Sequence, residues 1–185
     1  RDDHNVKYIS FSRNFGKEAA MYAGLVNTKA DLVVVMDADL EHPPKLIPEM
    51  REKIEEGYDS VAAMRNKRRR GIKSAFSSLF YKISNRFTDV EMKQNTQDYR
   101  MMTRQMVDAI LELDEVERFS KGLFSWVGFN TKWISYSNQK RIAGKTKLPT
   151  KSAISYAMRG ITSFSTFPLK LASFVGLFFC ICAIG

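Results

Sequence analysis

The sequence predicts an α/β domain with a largely parallel sheet. Three observations carry this. Strand-like apolar runs alternate with helical stretches in the order β-α-β-α-β over residues 6–64. The run Leu32 to Met36 is continuous and rich in valine, as expected of a strand buried on both faces. The segment Asp37-Ala38-Asp39-Leu40-Glu41-His42-Pro43-Pro44 ends that run abruptly, at the strand end where open α/β sheets gather their ligands.

The elements follow in order. Val6 to Phe11 reads as a strand and 17–27 as a helix with small residues Ala19, Ala20, Ala23 and Gly24. The buried strand at 32–36 precedes a helix at 45–56 and a strand at 58–64. Residues 71–87 carry Ile72, Ala75, Phe76, Leu79, Phe80, Ile83 and Phe87 on one stripe, an amphipathic helix that packs on the core or lies in a membrane interface. Helices at 103–113 and 117–126 and a strand at 131–137 come next. An amphipathic helix over 151–166 leads through Pro168 into an apolar tail. That tail, Leu171 to Gly185, is 15 residues long with only Ser173 polar. Its length is below the roughly 20 residues of a span, but the chain ends inside it. It reads as the start of a transmembrane helix flanked by Lys151, Arg159 and Lys170 on its cytoplasmic side.

The chain has 185 residues, 44% hydrophobic and 26% charged, enough for a sizeable core and unlike a disordered tail. The formal charge of +9 is unevenly spread. Residues 1–117 carry all 20 acids and 19 of the 29 basic residues, whereas 118–185 carry ten basic residues and no acid. A globular body joined to a basic, membrane-seeking end has this pattern; a uniformly basic nucleic-acid binder does not. Cys180 and Cys182 both lie in the apolar tail, so no disulfide framework is implied. The chain opens on Arg1 and stops within an apolar run, and is expected to be a piece of something longer.

Asp37 and Asp39 are the strongest chemical signal. Hard oxygen ligands two apart at a strand end, with Glu41 close behind, suit Mg²⁺ or Mn²⁺ shared with substrate phosphates. The alternative is a set of turn and capping acids before Pro43-Pro44. His42 reads as a loop residue rather than a ligand. Asn14, Gly16 and Lys17 stand at a turn into a helix N-terminus, a natural phosphate-binding place or a plain cap. Gly16 serves the turn either way.

Asp37-Ala38-Asp39-Leu40 followed by Pro43-Pro44 resembles the Asp-x-Asp region of family-2, GT-A-fold (Rossmann-like) glycosyltransferases, and among them the polyprenyl-phosphate enzymes. Four further stretches agree in order and spacing: Ser12 to Lys17, Asn95-Thr96-Gln97-Asp98-Tyr99-Arg100, Gly122 to Gly128 with Trp126, and Arg141-Ile142-Ala143-Gly144-Lys145-Thr146-Lys147. Glu41 and His42 depart from the family's usual Gln then Asp.

The resemblance implies a partial GT-A catalytic domain over 1–148, lacking its first strands, then an interfacial helix over 149–167 and a truncated transmembrane helix over 168–185. It implies an inverting transfer of a hexose from a nucleotide-sugar, UDP-glucose ahead of GDP-mannose and UDP-N-acetylglucosamine, to polyprenyl phosphate at the cytoplasmic face of the cell membrane. Asp37, Asp39 and Glu41 would hold the metal. Asn14, Gly16, Lys17, Asp37 and Asp39 would bind donor. Arg65, Lys73 and Ser77 match positions that hold the acceptor phosphate. Asp98 would orient the acceptor or act as a weak base, unless it merely caps the 103–113 helix. Arg141 and Lys145 would close over the diphosphate, unless they are surface charge. A homo-oligomer stays open, and nucleic acid is not an expected partner. The competing readings are a processive polysaccharide synthase, disfavoured because Met101 follows Gln97-Asp98-Tyr99-Arg100 where that class has Trp, and a non-catalytic basic protein bound to a membrane surface or nucleic acid.

Overall fold

The computed structural model describes residues 3–39, 41–66, 96–113, 119–136 and 167–184. Helix α1 spans Lys17–Asn27 and strand β1 Leu32–Val35. A single 3₁₀ turn, Pro44–Leu46, runs into α2, Ile47–Glu55. Strand β2 is Ser60–Arg65 and β3 is Thr96–Thr103. Helices α3, Arg104–Leu111, and α4, Ser120–Trp126, precede β4, Thr131–Tyr136. Helix α5 is Phe167–Ile184.

The four strands form one sheet in the order β1-β3-β2-β4. Strand β3 runs antiparallel to both β1 and β2, and β2 runs parallel to β4. The sheet is therefore mixed, which corrects the expected largely parallel arrangement: β1, β2 and β4 share a direction and the central strand opposes them. Their carboxyl ends and the start of β3 consequently meet at one edge of the domain. Alternation along β3 puts Tyr99 and Met101 on one face and Asp98, Arg100 and Met102 on the other.

Each face has its own core. Met50 packs with Val61, Ala63, Tyr99, Met101, Ile134 and Tyr136 under α2. Leu25, Met102, Met106, Val107, Ile110 and Phe124 form the second cluster, bringing α1, α3 and α4 onto the opposite face. Polar ties fix those helices. The Arg104 guanidinium donates to the Thr28 carbonyl at 2.9 Å and to the Asp108 carboxylate, and Thr103 Oγ1 accepts from the Met106 N–H to cap α3. The Glu18 carboxylate on α1 accepts from the N–H and hydroxyl of Ser120 at the start of α4.

Val6 to Phe11 is not a strand. The segment is exposed, with Val6 at 72% and Tyr8 at 91%, because strand-favouring residue types do not supply the ladder partner that a strand's backbone groups need. The expected 71–87 helix and the whole of 137–166, with the expected 151–166 helix, lie outside the described residues. Among the described residues no helix is long and apolar enough to cross a membrane, so the expected span is not established. The described side chains of α5 are nonetheless exposed, Phe174, Leu177, Phe178, Phe179 and Ile181 among them.

Met106 is fully buried between α3 and the sheet. Met106→Ala is expected to cost about 2 to 5 kcal/mol through lost burial and the cavity it leaves, read as a lower urea midpoint with an unchanged slope. A midpoint equal to wild type would contradict the packing described.

Candidate active site

The site sits at the edge where β1, β2 and β4 end and β3 begins. The local sequence builds it element by element. Asn14 Oδ1 accepts from the Gly16 N–H at 2.9 Å, closing a turn. Gly16 then takes φ of +90°, a conformation side chains rarely tolerate, and α1 begins at Lys17. Its ammonium is thereby placed against two carboxylates. Lys17 Nζ is 2.7 Å from Asp37 Oδ1 and 2.7 Å from Asp98 Oδ2. Burial opposes the lysine's charge, but Asp98 and Asp37 outweigh it and hold its pKa above the ordinary value.

Asp98 lies inside β3, only 10% exposed in its side chain, and its Oδ1 is buried without a hydrogen-bond partner. This excludes the helix-cap alternative, since Thr103 fills that role. Behind Asp98, the fully buried Arg100 guanidinium rests 3.8 Å from the centre of the Phe124 ring. Burial pushes the Arg100 pKa down to about 10, against the attraction of Asp98.

The segment after β1 is held from several sides. Asp39 Oδ1 accepts from the Glu41 N–H at 3.1 Å. The Glu41 carboxylate takes the Arg65 guanidinium from the end of β2. His42, which reads from sequence as an ordinary loop residue, is completely buried. Its Nδ1 accepts from the Asp37 N–H at 2.9 Å, and its ring stacks on Tyr99 with centroids 4.9 Å apart. The Tyr99 hydroxyl donates to the Pro43 carbonyl at 2.8 Å, pinning the same turn. No periodic pattern marks a lone histidine in a polar loop, so sequence reasoning missed it.

The sequence-predicted residues thus separate into groups. Asn14, Gly16, Lys17, Asp37 and Asp98 converge, and Asp39 stands two residues on in the same turn, bonded to the Glu41 N–H. Glu41 and Arg65 reach the same edge but engage each other, so Arg65 turns its fork on a carboxylate and Glu41 is not presented as a third metal ligand. Lys73, Ser77, Arg141 and Lys145 lie outside the described residues. Among the described residues no three His, Cys, Asp or Glu side chains are gathered as a metal-binding group. Asp37 and Asp39 themselves fit a hard divalent cation, which takes its other ligands from phosphate and water.

The ligand end of this α/β sheet thus carries an acidic pair with an ammonium beside it. Residues 1–111 match the model of glycosyl transferase family 2, and the chain belongs to that family. It is 46% identical over 174 residues to CsbB of Bacillus subtilis, a provisionally named glycosyltransferase, covering 94% of this chain and 53% of the relative. It is 41% identical over 178 residues to the bactoprenol glucosyl transferase of Shigella phage SfX, covering 95% and 58%. A prophage bactoprenol glucosyl transferase homolog of Escherichia coli is 40% identical over 177 residues, with 95% and 58% covered. The chain spans a little over half the length of these curated relatives.

The Lys17 pairing has a pH signature. A raised lysine pKa stabilises the fold below the unfolded value, and that contribution vanishes as pH rises through the folded pKa. Lys17→Met should therefore be less stable than wild type at neutral pH. The gap should hold as pH rises and close only above 10.5, the lysine's ordinary value, in urea midpoints measured along a pH series. A gap that widens at high pH would contradict the pairing.

Proposed function

We propose that this chain is the catalytic part of an inverting glycosyltransferase that moves a hexose, glucose from UDP-glucose first, to a polyprenyl phosphate. The observation that carries the reading is the meeting of Asp37 and Asp98 on Lys17 at the carboxyl edge of the sheet, with Asp39 two residues beyond Asp37. Family membership supports it, and so do the printed names of the phage and prophage relatives, which specify a bactoprenol acceptor and a glucosyl group.

Asp37 and Asp39 would hold Mg²⁺ or Mn²⁺, whose chemistry there is to neutralise the diphosphate leaving group. The Lys17 ammonium, already between two carboxylates, is free to swing toward a donor phosphate as that charge arrives. Asp98 faces the site with one oxygen unpartnered and can accept a hydrogen bond from a hydroxyl of donor or acceptor. The acceptor phosphate is anionic before it attacks, so strong general-base help is not needed. Positioning and charge stabilisation then supply most of the rate. In this reading the apolar face of α5 and the basic residues of the second half bring the site to the cytoplasmic membrane surface, where a lipid acceptor resides.

The test is sugar transfer to polyprenyl phosphate by membranes carrying the protein. UDP-glucose, GDP-mannose and UDP-N-acetylglucosamine are each supplied with Mg²⁺ or Mn²⁺, and with EDTA. The expected result is a glucosyl-lipid that disappears with EDTA and falls by about 100-fold or more in a folded Asp39→Asn variant. Asp39→Asn activity near wild type would overturn the metal assignment. No lipid product from any donor would overturn the acceptor.

A further inference from the structure

His42 stands apart from the rest of the 37–44 segment because it is buried yet only half satisfied. Its side chain has no exposure. Since Nδ1 accepts from the Asp37 N–H, the proton of the neutral ring belongs on Nε2. Burial holds the imidazole below its ordinary pKa, and Lys17 and Arg65 nearby act in the same direction against Asp37 and Asp39. Nε2 has no hydrogen-bond partner. It faces Asp37 Oδ2 at 3.8 Å, too long for a hydrogen bond but within reach of a small rotation of the carboxylate. The other oxygen of that carboxylate is the one held by Lys17.

We propose that His42 is a positioning residue for Asp37, holding its backbone through Nδ1 and retaining its carboxylate through Nε2–H when Lys17 lets go. This rests on Asp37 being a cation-binding carboxylate, as argued above. The geometry gives the two grips different fates. Lys17 is half exposed and sits on a helix end, so an incoming diphosphate can draw it away. His42 is clamped between Tyr99, stacked at an interplanar angle of 11°, and Tyr136, whose ring meets it edge-on. It cannot follow. An unpaired buried N–H is costly in the free protein, and the cost is recovered once Asp37 Oδ2 turns to it. Asp37 then keeps its direction while its outer oxygen is released. Carboxylates that bind metal are commonly oriented by such a second hydrogen-bonding partner.

A plain core role makes the opposite forecast. His42→Phe keeps the ring on Tyr99 but removes both ring nitrogens, including the acceptor of the Asp37 N–H, so a merely structural residue would lose stability while the folded protein kept its Mn²⁺ affinity and kcat. Three readouts separate the roles: thermal unfolding, Mn²⁺ affinity in the presence of UDP by electron paramagnetic resonance, and kcat against donor KM. His42→Phe is expected to unfold earlier than wild type but to remain folded at room temperature, and in that folded state to bind Mn²⁺ about 10- to 100-fold more weakly and lose a similar factor in kcat. His42→Asn and His42→Leu form a second pair, alike in shape and different in the acceptor near the Nδ1 position. The Asn variant should bind Mn²⁺ about tenfold tighter than the Leu variant.

A folded His42→Phe with Mn²⁺ affinity and kcat within about twofold of wild type would overturn the proposal. Should His42→Phe not fold, equal Mn²⁺ affinity in the Asn and Leu variants would overturn it as well, as would a wild-type protein that binds no Mn²⁺ with UDP. Absence of a glycosyl-lipid product from wild type would instead overturn the proposed acceptor, and the Mn²⁺ arm would still decide the role of His42.

Discussion

The arrangement of this site depends on one ammonium between two carboxylates. Asp37 follows an outer strand of the sheet and Asp98 lies on the central one, and the antiparallel entry of β3 brings them to the same edge. Two like charges at such a distance from a common point repel strongly in a half-buried setting. Lys17 resolves that repulsion from the first position of α1. Much of the surrounding chain serves to put it there. Asn14 closes the preceding turn, Gly16 takes the positive φ that redirects the backbone, and Glu18 one residue on ties α1 to the start of α4.

The acids after β1 are distributed among separate counterparts rather than pooled. Asp37 has Lys17, Asp39 has the Glu41 N–H, and Glu41 has Arg65. Each partner comes from a different element or from the turn itself, so the segment is held from several sides. Arg65 bridges the end of β2 to this turn, and burial opposing its charge is outweighed by neighbouring Tyr136 and Glu41. Removing one member of a desolvated pair leaves the other uncompensated, which costs far more than the pair contributes. This explains why a residue singled out for an anionic ligand can serve first as a structural tie.

Sequence legibility followed the strength of local pattern. The valine run of β1, the helix opening at Lys17 and the Pro-led entry to α2 were readable because each has a local cause. Strand β3 was not. Asp98 and Arg100 occupy one of its faces and break the apolar alternation by which strands are recognised, although both are buried in the sheet. Val6 to Phe11 failed in the opposite way, with strand-favouring residue types but no ladder. The roles of Lys17 and His42 depend on contacts with residues distant along the chain or hidden within a polar loop. Their types suggest chemistry, but only the sheet order shows what they touch.

The buried polar atoms without partners point the same way as the ion pairs. His42 Nε2, Arg65 Nε, Asp98 Oδ1 and the Tyr136 hydroxyl all lie at the carboxyl edge, with Arg100 Nε slightly deeper, whereas Ser60 Oγ is at the far end of β2. A buried polar group left unsatisfied costs about 1 to 3 kcal/mol, and proteins ordinarily keep few of them. Packing alone does not explain why four should collect where four carboxylates, a lysine and an arginine already meet. A ligand rich in phosphate and hydroxyl groups does explain it, because donors and acceptors idle in the free protein become partners on binding. On the reading proposed above, the edge is preorganised at some expense to the fold, and the stability withheld there would serve to orient a charged substrate.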